Sequence, residues 1–215
     1  MANTAAHLTD SVLPVVPYRQ WVISFPKRVR FLLARDHDLL SKVLDLCLKK
    51  IFAWQRRKAR SLGIAAPMCG AVTFCQRFGS LLSLNCHFHS LLPDGVFVAD
   101  GGNVTFAPIP APWPDDIERI TRQIARATEK LIARRMREHV PDDPVDVLEA
   151  EQARGTETAR FAGVQRTSEH KRLARKRAAF YFGYSLHAER HIRGDDRAAL
   201  ERLCRYGARA PVANT

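Results

Sequence analysis

The chain is poor in the features that announce three common protein classes. Its five cysteines, Cys47, Cys69, Cys75, Cys86 and Cys204, are odd in number and nowhere spaced as CxxC. That argues against a disulfide framework and a zinc knuckle, and they read as reduced, mostly core residues. No apolar run approaches the roughly 20 residues of a membrane helix. The N-terminal MANTAAHLTD lacks the basic-then-apolar pattern of a leader. These absences predict a cytoplasmic protein with no membrane partner. Repeats and low-complexity tracts are missing too. Acidic residues are scarce beside basic ones: 22 Asp and Glu face 34 Lys and Arg, for a net charge of +12. An excess of that size favours a polyanionic partner, most simply nucleic acid. At 215 residues the chain can bury a core without staples.

What the chain does have is a patterned stretch from Ala71 to Asp100, AVTFCQRFGSLLSLNCHFHSLLPDGVFVAD, centred on His87 and His89. Extended side chains alternate faces with a period of two. Asn85, His87 and His89 therefore point one way, and Leu84, Cys86, Phe88 and Ser90 the other. Two imidazoles side by side on a polar face can hold a divalent metal, although a His-x-His pair also arises by chance in a chain with eight histidines. Cys86 adjoins His87 but lies on the other face, a poor position for a shared ligand. Pro93-Asp94-Gly95 is a turn signal, which predicts a hairpin between the histidine strand and Val96 to Ala99. Ala71 to Arg77 reads as a further strand, leaving the histidines between two neighbours.

Along the rest of the chain, Tyr18 to Phe25 is rich in aromatic and β-branched residues and reads as the first strand, closed by Pro26. Lys27 to Ala34 and Asp38 to Ser61 carry helical spacing, the second ending in the basic cluster Arg56, Arg57, Lys58 and Arg60. A solvated helix end and a phosphate contact are equally compatible with that cluster. Asn103 to Phe106 is a candidate strand. A long helix is expected from about Asp115 to His139, buried along Ile117, Ile120, Ile124 and Leu131. The polar stretch from Asp142 to Gly163 reads as a mobile segment or junction, and Lys171 to Arg177 is the most basic run, a solvated helix face or a DNA backbone contact. Phe180 to Leu186 reads as one strand. A last helix starts at Asp195 or Asp196 and runs to Tyr206, with Ala199, Leu200, Leu203 and Cys204 as its apolar stripe. Tyr206 sits at the border of that stripe, with Arg202 on its side of the helix and Arg205 and Arg209 flanking it.

The runs QRFGSLLSLNCHFHSLLPDGVFV, RQWVISFP and GYSLHAERHIRGDDRAALERLCRYGARAP together resemble the rolling-circle insertion-sequence transposases of the HUH superfamily, named for His-hydrophobic-His. The resemblance spans nearly the whole chain. It implies an α+β fold, a central antiparallel sheet carrying the His-x-His strand with helices packed on it. It also implies a bacterial, nucleoid-associated enzyme that cleaves single-stranded DNA at insertion-sequence ends and transfers the strand through a 5′-phosphotyrosine link. His87 and His89 match the two metal ligands and Tyr206, in LCRYGAR, the nucleophile. Many relatives carry a second tyrosine four residues away; here Arg202 and Ala210 stand at that interval, as in the single-tyrosine branch. Relatives also begin with a cysteine-rich segment and continue beyond the RY motif, so the chain is expected to be the central catalytic portion of a larger transposase.

The chemistry accounts for these residue types. A cation, Mg²⁺ or Mn²⁺, offsets charge on the phosphoryl oxygens. Two imidazoles do not complete such a site, which needs oxygen donors; Gln76 on the adjacent strand and Asn85 on the same face are the candidates. A free phenol has a pKa of about 10 and is a weak nucleophile at neutral pH, which gives Arg202, Arg205 and the metal a role beside Tyr206. Lys171, Arg172, Arg202, Arg205 and Arg209 are the expected DNA contacts. Tyr181 and Tyr184 compete as nucleophiles, but core packing or base stacking explains them more economically. His187 and His191 read as exposed loop or helix residues open to a DNA contact. Two other functions remain compatible with the sequence: a replication initiator or relaxase with the same chemistry, and a DNA-binding remnant without catalysis.

Overall fold

The computed structural model describes residues 2–78, 84–138 and 177–208. The polar stretch 142–163 lies outside them, as do Lys171, Arg172 and Arg209. Helix α1 (Ala2–His7) continues into a π-helical turn, Leu8–Val12, and leads to β1 (Tyr18–Ser24). Helices α2 (Lys27–Arg35) and α3 (His37–Arg60) follow, then β2 (Val72–Phe78), β3 (Leu84–Pro93), β4 (Gly95–Asp100) and β5 (Asn103–Pro108). After α4 (Pro114–Glu138), the last described elements are β6 (Ala178–Tyr181), β7 (Tyr184–His187), β8 (His191–Ile192) and α5 (Arg197–Gly207). An antiparallel sheet runs in the order β2-β3-β1-β7-β6, with β8 also on β1, while β4 and β5 form a separate ribbon. The expected α+β class and central antiparallel sheet are both found.

Strand alternation divides the sheet between two apolar clusters. Trp21 and Ile23 of β1, Cys86, Phe88 and Leu92 of β3 and Leu186 of β7 pack on one face against α2, α3 and α4. The α4 stripe uses Ile117, Ile120 and Ile124 as expected, but its last turns bury Ile132 while Leu131 stays partly exposed. On the other face, Tyr18, Leu91 and Ile192 meet α1, Leu13 and Val16, and Leu200, Leu203 and Cys204 of α5. Asp36 and Asp196 cap α3 and α5, each side chain accepting a backbone N–H three residues on at 2.9 Å.

The histidine strand does lie between two neighbours, but not the expected pair. Strand β3 pairs with β1 from Tyr18↔Pro93 to Ser24↔His87, and β4 turns away to pair with β5. Asp94 is the reason. Arg19 of β1 donates to its carboxylate through Nε at 3.0 Å and Nη2 at 2.6 Å, and the Asp94 N–H donates to Pro17 O at 2.8 Å. The third arm of Arg19 donates to Ala188 O at 3.0 Å. Gln55 of α3 meanwhile donates to Pro93 O at 2.9 Å. A turn residue by composition is thus an ion-pair partner that locks β3 to β1. Gly95 serves the departure of β4, since a Cβ there would lie 2.4 Å from Ala107 O.

The stretch Phe180 to Leu186 is a hairpin rather than one strand. Phe182 and Gly183 both have positive φ, 46° and 79°, and reverse the chain between β6 and β7. The basic cluster at the end of α3 lies at the Pro93 end of β3, away from the histidine end.

The Arg19–Asp94 pair has side chains only 5% and 14% exposed. Removing one partner of such a pair strands the other charge. Asp94→Asn is expected to lower the unfolding free energy by about 3 kcal/mol in urea denaturation, and Arg19→Met with Asp94→Leu to recover most of that loss.

Candidate functional site

The polar face of β3 is built by alternation, and pairing extends it sideways. His87 is opposed by Gln76 of β2 and Ser24 of β1, and His89 by Phe74 and Val22. Beneath the two histidines Phe88 is fully buried, edge-on to Phe25 with centroids 5.2 Å apart, and Phe25 packs likewise on Tyr184 at 5.9 Å. This stack of rings fixes the strand from behind. The imidazole centroids of His87 and His89 stand 4.8 Å apart on the other side. After Gln76 the β2–β3 register shifts. Such an irregularity beside a polar cluster re-aims the flanking side chains.

Helix α5 brings the phenol. Leu200, Leu203 and Cys204 seat it on the sheet, and Gly207 allows its last turn to touch β2. A Cβ at Gly207 would lie 2.5 Å from the Phe74 ring. Tyr206 then stands with its ring centroid 6.0 Å from that of His89, edge-on and half exposed. Gln76 Nε2 donates to the backbone oxygen of Tyr206 at 3.4 Å, tying β2 to the helix end. His87, His89, Gln76 and Tyr206, distant in sequence, are one cluster.

Hydrogen bonding orients both rings. His87 Nδ1 lies against the Asn85 carbonyl oxygen. A carbonyl only accepts, so the proton is on Nδ1 and Nε2 carries a lone pair. His89 Nδ1 is 2.9 Å from the side-chain amide of Gln20, a buried bond, while its Nε2 is buried with no hydrogen-bond partner. With the amide nitrogen of Gln20 toward the ring, the His89 proton sits on Nε2 with no acceptor. Half a turn of the amide presents Oε1 instead, moves the proton to Nδ1 and makes Nε2 a lone pair. In that state both rings offer Nε2, the tautomer that metal-binding histidines take when another group holds Nδ1. Burial, with the neighbouring His87 as a smaller cause, pushes the His89 pKa down to about 4. The ring is neutral near pH 7, as a ligand must be.

Among the described residues, no group of three His, Cys, Asp or Glu side chains is placed to hold a metal. A cation here would draw on two imidazoles and amide oxygen. Gln76 opposes His87 in the β2–β3 pairing; Asn85 is half-buried on the same strand face, its Oδ1 buried and without a hydrogen-bond partner. Arg202 and Arg205 are exposed on α5, Arg205 paired with Glu201. Tyr184 is buried and donates to Glu129 at 2.6 Å, and burial raises its pKa far above the ordinary value. Tyr181 packs on the helix side of the sheet near Arg122. Neither joins the histidines.

Two residues were less legible. Gln20 was one polar residue in an apolar strand, and nothing in the sequence paired it with His89. His187 is not in a loop: it opposes Val22, as His89 does from the other side, so both histidines share a face across β1. Burial lowers its pKa. His191 lies 3.5 Å from Asp94 at the far end of β1.

Residues 70–215 match the model of the Y2_Tnp family, described as "Putative transposase". No curated protein and no solved structure matches the chain. No helix among the described residues is long and apolar enough to cross a membrane.

The buried, neutral His89 has a consequence for stability. The unfolded chain takes up its proton near 6.5, the folded chain only near 4. Between those values the unfolded state binds more protons, so stability is lost as pH falls through that window. At about 1.4 kcal/mol per pH unit the loss is roughly 3 kcal/mol. Denaturant titrations at pH 7 and pH 4 should show it, and His89→Gln should remove most of the difference.

Proposed function

The chain belongs to this transposase family, and from that premise we propose that it cleaves and rejoins single-stranded DNA with Tyr206 as nucleophile and a divalent cation at His87, His89 and Gln76. The carrying observation is the approach of the half-exposed Tyr206 ring to within 6.0 Å of His89, beside the His87 ring. A transposase must break and remake phosphodiester bonds, and these groups would supply a nucleophile next to two imidazole nitrogen donors.

His87 Nε2, His89 Nε2 and Gln76 Oε1 would hold the cation, Mg²⁺ or Mn²⁺, whose charge offsets that of the phosphoryl oxygens. Gln20 fixes the His89 tautomer, and the Asn85 carbonyl that of His87. Tyr206 Oη attacks phosphorus in line with the bond to the 3′ oxygen. The P–Oη bond forms as the P–O3′ bond breaks, the phenolic proton passes to solvent, and the departing 3′ oxygen takes one up. The products are a 5′-phosphotyrosine and a free 3′-hydroxyl. Attack by another 3′-hydroxyl reverses the step and transfers the strand, with no outside energy source. One nearby phenol is enough for one such exchange, as in the single-tyrosine arrangement. Arg202 and Arg205, on the same helix, would meet the flanking phosphates.

Labelled single-stranded DNA from an insertion-sequence end, incubated with the protein and Mn²⁺, should give a denaturant-resistant adduct. Tyr206→Phe should give none, and a chelator should abolish it. An adduct that survives Tyr206→Phe refutes the nucleophile. Salt-sensitive binding with no adduct from the unaltered chain points instead to a DNA-binding role alone.

A second expectation concerns Gln20, which touches no cation itself. Gln20→Leu should weaken Mn²⁺ binding by roughly 10- to 100-fold in calorimetry. The melting temperature, measured alongside, shows whether the fold is retained.

A further inference from the structure

The polar row at the histidines continues across the sheet. Ser24 opposes His87, Ser185 opposes Ser24, and Phe180 opposes Ser185. Directly opposed residues of antiparallel strands share a face. The row therefore leads from His87 over two small hydroxyl side chains to an aromatic ring three strand spacings away, roughly 14 Å. Helix α4 packs beneath β6 and β7 on the other face, and α5 lies over β2. Phe180 is 39% exposed, its ring edge-on to His187 at 5.4 Å.

The hairpin tip carries a second exposed ring in a costly conformation. Phe182 has φ 46° and is 50% exposed, with its ring edge-on to Tyr181 at 4.6 Å. A two-residue turn with positive φ at both positions favours Asn-Gly. A bulky side chain in the left-handed region costs roughly 1–2 kcal/mol. Backbone preference disfavours phenylalanine there, and strain of this kind gathers at ligand contacts. The chain's charge of +12 suits a polyanion, and rings set along a cationic surface are how proteins hold unpaired bases.

We propose that the β6–β7 hairpin is a base-stacking platform: single-stranded DNA engaged at His87 and His89 crosses Ser24 and Ser185, and its bases stack on Phe180 and Phe182. This rests on the single-strand reading above and adds to it where the strand runs. Stacking tolerates any base, so the platform sets the path of the strand rather than its sequence.

The test uses the full chain with a chelator, so that binding is read without cleavage. A fluorescent oligothymidylate is titrated by anisotropy at several salt concentrations, and a second oligonucleotide carries 2-aminopurine, whose emission is quenched by stacking. Phe182→Asn restores the preferred turn residue, so it should melt at a higher temperature yet bind about 5- to 100-fold more weakly. Phe180→Ala should weaken binding similarly. The salt slope should not change, because no phosphate contact is removed, and 2-aminopurine quenching should fall in both variants. Wild-type affinity and quenching in both variants overturn the proposal, as does an unaltered chain that does not bind the oligonucleotide. The Mn²⁺-dependent adduct is scored separately. Variants that bind normally and form it refute the platform alone, whereas weakened variants beside an unaltered chain that forms no adduct refute the cleavage reading alone.

Discussion

The site depends on β1 being threaded between β3 and β7. Ser24 pairs with His87 on one side and Ser185 on the other, so the first strand of the chain joins halves of the sheet that are separated by α4 and the residues after it. Its alternation serves two masters. Trp21 and Ile23 enter the core shared with the long helices, while Gln20, Val22 and Ser24 face the polar row. Moving the register by one residue would exchange these sets, placing indole under the phenol and an amide in the core. The bidentate Arg19–Asp94 bond guards against that slip at one end of the ladder. Burying a charge pair adds little net stability, but it penalises every register in which the partners miss each other.

The elements set by local periodicity could be read directly. The helices from Lys27 to Arg60 and α4 follow from the spacing of apolar residues, the strand Tyr18–Ser24 from its aromatic and β-branched content, and the face shared by His87 and His89 from strand alternation. What could not be read was partner choice. Pro93-Asp94-Gly95 satisfies the local rule for a hairpin, and the rule lost because Asp94 finds a buried guanidinium 75 positions earlier. Phe182 misled for the opposite reason: a bulky residue reads as strand, and the turn it makes is one its own side chain resists.

The same distinction runs through the site. His87, His89 and Tyr206 were legible through the resemblance to a family and Gln76 as an oxygen donor on the adjacent strand, and the fold brings the four together. Gln20 was not, because an amide next to an imidazole is a tertiary fact with no local signature. It nevertheless decides which nitrogen of His89 is available, because the orientation of its amide sets which ring nitrogen carries the proton.

The placement of Tyr206 raises an electrostatic problem that the histidines answer. It is the next-to-last residue of α5, where unsatisfied carbonyls concentrate partial negative charge. One of these, the oxygen of Tyr206 itself, is turned toward Gln76, and another, of Cys204, accepts from Ala208. A phosphodiester brought to the phenol therefore meets a helix end of its own sign. Arg202 and Arg205 on the same helix offset this only in part, Arg205 being paired with Glu201. Under the proposed mechanism compensation comes from across the gap, on β3, where the imidazoles of His87 and His89 would hold a cation; burial keeps the His89 ring uncharged near neutral pH, so that ring supplies no charge itself. A helix C-terminus facing two imidazoles is a poor anion site on its own and a better one with a divalent ion seated, so if Tyr206 is the nucleophile as proposed, its place at the helix end is itself an argument for cation dependence.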